Sequence, residues 1–302
     1  MPELAEVRWS QRMLSNTVIG TQVLGFKSLD SRILEFPENI GPLDTEKKSQ
    51  LLELYFREPS SIIDVDRIGK YIIIILSSGV SILTHYKFNG WIIPNWVGVY
   101  QPRRFLHSVD PYKFSKFILR TNQGNLIWVD SRVLSRVHFF STSELLYNSQ
   151  YVKDIGPDAD TPEAQKRLFE TLLGAEVEYL TSNKFQVRLK KGTKRSNKRI
   201  RDFLLDQKVV SGIGNYLVCE VLYRSKLHGS ERVKDLTLEK VIQIIKAIYT
   251  CVKLAENEPN KDWWEVFQRK KTKEGYPVTR ESWGKRGHYV CYHHQPIPRQ
   301  LH

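Results

Sequence analysis

Short apolar, β-branched runs separated by polar breaks mark the first half of the chain. Lys70-Tyr71-Ile72-Ile73-Ile74-Ile75-Leu76 leads into Ser77-Ser78-Gly79 and then Val80-Ser81-Ile82-Leu83-Thr84-His85. Two such runs around a short turn predict a β-hairpin. Further strands are expected over 89–94, 116–120 and 125–129, the last two joined by Thr121-Asn122-Gln123-Gly124. Residues 2–16 pattern as a helix, with Leu4, Val7 and Met13 among the apolar positions. The pattern changes after Ile155-Gly156-Pro157-Asp158, where Gly and Pro punctuate a linker. Thr161 then caps a helix whose first turn takes Pro162, a position where a missing N–H costs nothing. Helices are predicted over 162–173, 199–206, 216–225 and 238–254. Tyr276-Pro277-Val278 and His288-Tyr289-Val290 are compatible with short strands. The expected fold is α+β: an N-terminal β-sandwich with a leading helix over 1–150, a linker over 151–160, a helical domain over 161–265, and a hairpin with tail over 266–302.

Composition narrows the class. The chain has 302 residues, long enough for two domains or one large one, and 41% of them are hydrophobic, which is enough for a real core. Its 46 Lys and Arg against 33 Asp and Glu leave a net charge of +13, which points to a polyanionic partner with nucleic acid foremost. Cys219, Cys251 and Cys291 are far apart and form no Cys-x-x-Cys pair, so a disulfide framework is not expected and a reducing compartment is. The start lacks a basic-then-apolar leader, and the apolar stretch near 71–76 is too short to span a bilayer. A soluble intracellular protein is expected, with no membrane contact.

The chain begins Met1-Pro2-Glu3. If the methionine is removed, Pro2 presents a free secondary amine. A terminal amine titrates near pH 8, so more of it is neutral and nucleophilic at pH 7 than of a lysine. Such an amine can attack a carbonyl-like carbon and form an iminium, and the adjacent Glu3 could move protons. A second signal is Asp206-Gln207-Lys208-Val209-Val210-Ser211-Gly212-Ile213-Gly214-Asn215-Tyr216. One helix ends before the glycines, which permit positive φ and close backbone approach. The next starts at Asn215, and a helix N-terminus binds anions. Taken alone, Met-Pro is a common start and Gly-x-Gly suits an ordinary helical turn.

Together, in this order, the two stretches closely resemble the formamidopyrimidine-DNA glycosylase and endonuclease VIII family, whose members start Pro-Glu after the methionine and carry a helix–two-turn–helix. Gly69-Lys70 resembles the family's phosphate-contacting hairpin lysine, and Glu6 a glutamate of its lesion site. His85 resembles a phosphate-contacting histidine, and Ile155-Gly156-Pro157-Asp158 an interdomain tetrad. Arg286-Gly287-His288-Tyr289-Val290-Cys291 resembles the arginine-bearing strand of the family's zinc finger. The first pair of ligands is missing, because residues 269–281 contain neither Cys nor His. Cys291, His293 and His294 therefore fall short of the usual two pairs. The resemblance is to the zincless-finger subgroup that includes vertebrate and giant-virus members, with no metal and the hairpin packed on Trp283, Tyr276 and Tyr289.

The resemblance implies a DNA glycosylase and abasic-site lyase of base excision repair, without a cofactor. Pro2, Glu3 and Lys70 are its catalytic residues, and Asn215, Gly214, Arg286 and His85 hold DNA. Phe88 stands where the family has a void-filling Met. Asp130-Ser131-Arg132-Val133-Leu134 keeps the family's Arg as Arg132 but has Leu134 in place of Phe. The expected substrate is duplex, or single-stranded or bubble, DNA with oxidised or abasic sites. Oxidised pyrimidines are favoured, the protein acts as a monomer, and the nucleus or a DNA-replication compartment is the expected location. The family's base-discriminating loop falls in 181–199. The alternatives are a non-catalytic homologue that binds damaged DNA, and a helix–two-turn–helix protein of ribosomal or topoisomerase kind.

Overall fold

The structure, a computed structural model, describes residues 2–38, 42–96, 111–181, 184–189, 195–258, 261–283 and 286–298. The chain forms two compact units: Met1–Pro2 with Glu6–Asp154, and Glu3–Ala5 with Ile155–His302.

The first unit holds most of α1 (Leu4–Val18), then β1 (Gln22–Ser28), β2 (Leu34–Glu35), α2 (Thr45–Tyr55), β3 (Ser60–Ile68), β4 (Tyr71–Leu76) and β5 (Ser81–His85). It continues with β6 (Trp91–Asn95), β7 (Ser115–Thr121), β8 (Gly124–Val129), β9 (Arg136–Phe140) and α3 (Ser143–Tyr147). The strands are hydrogen-bonded in the order β2-β9-β5-β4-β3-β1-β7-β8-β6. The link between β3 and β1 rests on Gln22↔Ser61 and Val23↔Ser60 alone, so the sheet turns a corner there and its two halves face each other. Phe117 of β7 meets Phe139 of β9 at 5.4 Å between ring centroids. Trp128 of β8 donates its indole N–H to Thr84 of β5 at 2.9 Å. Ile72, Ile74, Ile82, Leu126, Val137 and Phe139 fill the space between the halves, with Val7, Leu14 and Val18 of α1 in the same cluster. This is the expected sandwich with its leading helix, and the helix starts at Leu4 rather than Pro2.

The second unit holds α4 (Pro162–Leu173), the hairpin β10 (Ala175–Thr181) and β11 (Lys184–Leu189), α5 (Ile200–Leu204), α6 (Asn215–Arg224), α7 (Leu238–Asn257), and the hairpin β12 (Thr279–Trp283) and β13 (Arg286–Val290). Thr161 caps α4 by accepting the Ala164 N–H, and Gly174 closes it at φ 61°, a left-handed conformation. Leu217, Val218, Val221 and Leu222 of α6 share a core with Val241, Ile244, Ile248 and Val252 of α7. The expected helix over 199–206 is shorter, ending at Leu204, because Asp206 turns back to accept the Lys208 N–H. The final hairpin pairs Thr279–Trp283 with Arg286–Val290. Tyr276-Pro277-Val278 lies just before its first strand, and Pro277 makes only an isolated bridge to Lys271. Part of the 181–199 loop is the strand β11, and residues 190–194 of that loop lie outside the described residues.

Candidate active site and nucleic-acid interface

In the second unit the two diagnostic stretches meet. The Glu3 carboxylate is buried and accepts three backbone N–H groups of the α6 start: Gly214 to Oε2 at 2.8 Å, Tyr216 to Oε1 at 3.0 Å and Leu217 to Oε2 at 3.1 Å. These are donors that a helix N-terminus leaves without intrahelical partners, and a carboxylate there is also favoured by the helix dipole. Leu4 donates its N–H to the Gly212 carbonyl at 3.1 Å. The turn is knotted by Gln207, whose amide donates to the Leu205 and Ile213 carbonyls and accepts the Gly212 N–H. The linker tetrad braces it from outside. Gly156 donates to the Gln207 carbonyl, and Ser211 donates its N–H to Pro157 and its hydroxyl to Asp158.

The two glycines serve different ends. Gly212 sits at φ +93°, where side chains are strained, and a Cβ on it would collide with Leu4. Gly214 is at φ −126°, so the expected positive φ does not hold there. Its requirement is space, because a Cβ would strike the Glu3 carboxyl.

Asn215 projects from the first position of α6. Its Nδ2 donates to the Gly287 carbonyl of β13 at 3.0 Å, and its Oδ1 accepts from Arg201 Nη2 at 3.3 Å. Arg201, buried among its neighbours, also pairs with Asp202 at 3.1 Å and lies 5.3 Å over the Trp283 ring. The amide of Asn215 is thus oriented between the two-turn motif and the final hairpin, beside Arg286. Arg286 is placed by its backbone pairing with Trp283. Glu281 of β12 gathers Tyr292 Oη at 2.7 Å, Trp283 Nε1 at 2.8 Å and His228 Nε2 at 3.3 Å. The aromatic packing around the hairpin includes Trp283 against His288, Tyr289 against Phe267 and Tyr276 stacked on His293 at 3.7 Å. Burial holds the His288 imidazole down to about 3, with the nearby Arg201 charge adding to the effect, and its Nδ1 lies 3.3 Å from Cys219 Sγ. The candidate zinc ligands do not converge: His293 stacks on Tyr276 and His294 reaches Glu274 at 3.2 Å. Among the described residues no three His, Cys, Asp or Glu side chains are grouped to hold a metal ion.

In the first unit Lys70 lies at the tip of the β3–β4 hairpin, after Gly69 at φ +56°. That two-residue turn with positive φ suits the twist of the flanking strands, and Arg67 Nη1 donates to the Gly69 carbonyl at 2.8 Å. His85 accepts the Lys87 N–H on Nδ1 at 3.0 Å, which leaves Nε2 as the protonated nitrogen of a neutral ring. Burial, then the charges of Lys87 and Lys70, hold it down to about 3. His85 is therefore a neutral donor in a basic setting. Glu6 stands in the first turn of α1, half-buried. Phe88 and Leu134 are the exposed apolar tips of two loops, 41% and 40% accessible, and Arg132 is exposed beside Leu134. Buried Asp130 shapes the second loop by accepting the N–H groups of Arg132, Leu134 and Ser135 at 2.9, 2.7 and 2.6 Å. Arg201, Glu281 and Gln207 escaped the sequence reading as structural organisers. The only signal for them was proximity in sequence to residues already singled out.

Comparison with known proteins agrees with this geometry. The family model "Formamidopyrimidine-DNA glycosylase N-terminal domain" matches residues 1–137, and "Formamidopyrimidine-DNA glycosylase H2TH domain" matches residues 173–259. A formamidopyrimidine-DNA glycosylase of Bacillus cereus is 27% identical over 257 residues, covering 83% of this chain and 76% of its own. One from Lactobacillus helveticus is 28% identical over 244 residues, covering 81% and 73%. The fold matches that of the Lactococcus lactis formamidopyrimidine-DNA glycosylase bound to DNA containing an abasic site, at a TM-score of 0.73 and 18% identity, covering 98% of this chain and 100% of that one. With both domains matched in order, and Glu3 held by the two-turn motif, the chain belongs to the formamidopyrimidine-DNA glycosylase family.

Proposed function

We propose that this protein is a bifunctional DNA glycosylase and abasic-site lyase of base excision repair. The observation that carries the reading is the binding of the Glu3 carboxylate by three α6 amides. It joins Glu3, the residue next to Pro2, to the motif that carries Asn215, across some two hundred residues of sequence, and so supports a role for the start of the chain. Relatives solved with abasic and 8-oxoguanine-containing DNA support DNA as the partner.

In this reading Met1 is removed and the Pro2 nitrogen attacks C1′ of a damaged nucleotide. The C1′–base bond breaks, and the base leaves with its electron pair and takes a proton. Glu3 relays protons as the sugar ring opens to an iminium. The iminium acidifies C2′; loss of that proton expels the 3′ phosphate, and a second elimination expels the 5′ phosphate. Water then releases the sugar fragment from Pro2. Lys70, His85, Asn215 and Arg286 hold backbone phosphates, which supply much of the affinity and make it fall steeply with salt. The base must leave the stack, at a cost of a few kcal/mol, and Phe88, Arg132 and Leu134 fill the gap, as apolar wedges do between base steps. Glu6 lies at the lesion. Oxidised pyrimidines are the favoured substrates, with formamidopyrimidines also accepted, and in this reading the protein is a member of the zincless-finger subgroup.

Borohydride reduction in the presence of duplexes carrying one oxidised base or one abasic site tests this. A covalent adduct mapped to Pro2 by mass spectrometry is the expected result. Fully active protein that retains Met1, or nicking without any trappable adduct on every substrate, overturns it.

A further inference from the structure

The two exposed tips Phe88 and Leu134 belong to loops with an unusual common property. Lys87, which precedes Phe88, sits at φ +52°, and Val133, which precedes Leu134, at φ +55°. Neither is glycine, and a β-branched residue in this region is a real outlier. Such strain persists only where the surroundings over-determine it, and it gathers at functional sites. Each loop has its own brace. The first is closed by the Gly90 N–H on the Tyr86 carbonyl at 2.9 Å, and the second by the three bonds to Asp130.

The loops are also locked to each other. A Cβ on Gly90 would meet both the Ser135 Cβ of the second loop and the Tyr86 carbonyl of its own at 2.8 Å, so residue 90 can lie this close to the Ser135 side chain only as glycine. Asn89 spans the remaining gap. In the orientation that satisfies both ends of its amide, Nδ2 donates to the Phe88 carbonyl at 2.8 Å and Oδ1 accepts from Arg132 Nε at 3.3 Å. The same amide lies 3.4 Å from the Ser131 hydroxyl. One side chain thus touches the backbone of the Phe88 turn and the guanidinium of the Arg132 loop.

We infer that Asn89 is a positioning residue that couples the two loops, so that Phe88 and the Arg132–Leu134 tip enter the duplex as one body. The inference rests on the void-filling reading of these loops. A linked pair has a physical advantage. Each loop alone would have to be ordered at the moment of insertion, whereas a cross-braced pair meets that cost during folding.

The test uses the full-length protein and a duplex with one oxidised pyrimidine flanked by 2-aminopurine. Its fluorescence reports unstacking in stopped flow, and base release is followed in single turnover. Asn89→Ala is expected to slow both about tenfold, the scale of one lost hydrogen bond to a charged group. Affinity for the duplex should change less than twofold, because phosphate contacts carry it. Asn89→Asp keeps an acceptor for Arg132 Nε and should restore most of the rate. The double variant Asn89→Ala/Arg132→Ala should be no slower than Arg132→Ala alone. The coupling is overturned if Phe88→Ala slows the fluorescence change while Asn89→Ala does not, or if the two single effects multiply in the double variant. If neither Phe88→Ala nor Arg132→Ala alters the fluorescence change, the void-filling reading itself fails, and the inference with it.

Discussion

Replacing Glu3 with Gln changes one atom and almost no volume, so its consequences are electrostatic. The carboxylate takes the Gly214 and Leu217 N–H groups on Oε2 and the Tyr216 N–H on Oε1. A glutamine has one acceptor oxygen. In its better orientation it keeps two of these bonds and turns an NH2 toward the third amide; in the other it keeps one. At least one buried N–H is then without a partner, at about 1–3 kcal/mol. The loss of negative charge at a helix N-terminus adds roughly 0.5–2 kcal/mol. The start of α6 should therefore open more easily by about 1.5–5 kcal/mol, which is roughly 10- to 5,000-fold in an opening equilibrium. Hydrogen exchange followed by mass spectrometry reads this directly. Peptides covering 212–219 should exchange faster by that factor, while peptides within α7 should not change. The same variant should lose base release and retain some cleavage of preformed abasic sites, since the second reaction starts from an already open sugar. Unaltered exchange at 214, 216 and 217 would refute the idea that this carboxylate anchors the motif.

Three further outcomes follow from the same geometry. Gly214→Ala forces a methyl group into the Glu3 carboxyl; it should reproduce the exchange phenotype of Glu3→Gln although residue 214 has an ordinary negative φ, and normal exchange in that variant would show that the contact is not needed. Glu281→Gln leaves at least one of Tyr292, Trp283 and His228 without its acceptor, costing about 1–3 kcal/mol; the β12–β13 hairpin should become protease-sensitive and DNA affinity should drop, whereas an unchanged digestion pattern would assign the clasp no role. Acid should destabilise the fold well above the carboxylate range. Burial holds His85 and His288 down to about 3 and His138 to about 4, against about 6.5 in the unfolded chain. The unfolded chain therefore binds more protons below pH 6.5. Stability is fully present above that pH and falls toward pH 4 by about 1.4 kcal/mol per pH unit for each imidazole that charges only on unfolding. Urea midpoints from pH 7 to 4.5 should show the slope, and His138→Phe should flatten it; a flat wild-type profile would contradict the buried-neutral assignment.

What could be read from the sequence depended on whether an element announces itself through apolar periodicity. The β4–β5 hairpin did so, because Ile72, Ile73 and Ile74 are all fully buried and β-branched. So did α4, with Thr161 and Pro162 at its start. The helix α2 did not: Leu52 is its one buried residue, so it lacks an apolar stripe. Nor did β12, whose Thr279-Arg280-Glu281-Ser282-Trp283 is largely exposed and reads as loop. The more apolar Tyr276-Pro277-Val278 patterns as a strand three residues ahead of the observed one, although a proline has no N–H to donate to a ladder. The candidate site was legible where family motifs run in consecutive residues. Arg201 and Glu281 were not, because a charged residue is ordinarily a surface residue and its partners here lie far away in sequence.

The same blindness hides a device that recurs in this fold. Glu3, Asp130 and Glu220 are all fully or almost fully buried, and each gathers three backbone N–H groups from a segment outside regular pairing. Glu3 holds the α6 start, Asp130 holds Arg132 to Ser135, and Glu220 takes the N–H groups of Glu265, Val266 and Phe267 while pairing with Arg224. Irregular backbone cannot satisfy its own donors as a helix or sheet does, yet buried donors need partners. A carboxylate supplies several acceptor sites from one point and so specifies a loop shape without a metal ion or a disulfide. Two of these loops carry residues proposed to meet DNA, and the third, at Glu265 to Phe267, leads into the segment before the final hairpin. A local template of this kind separates function from bulk stability. Asp130→Asn should unsettle the Arg132–Leu134 loop and slow base release, while the sandwich core around Phe117 and Phe139 keeps its slow exchange. Should that core instead exchange as fast as the loop, the carboxylate would be a keystone of the whole unit and not a local template.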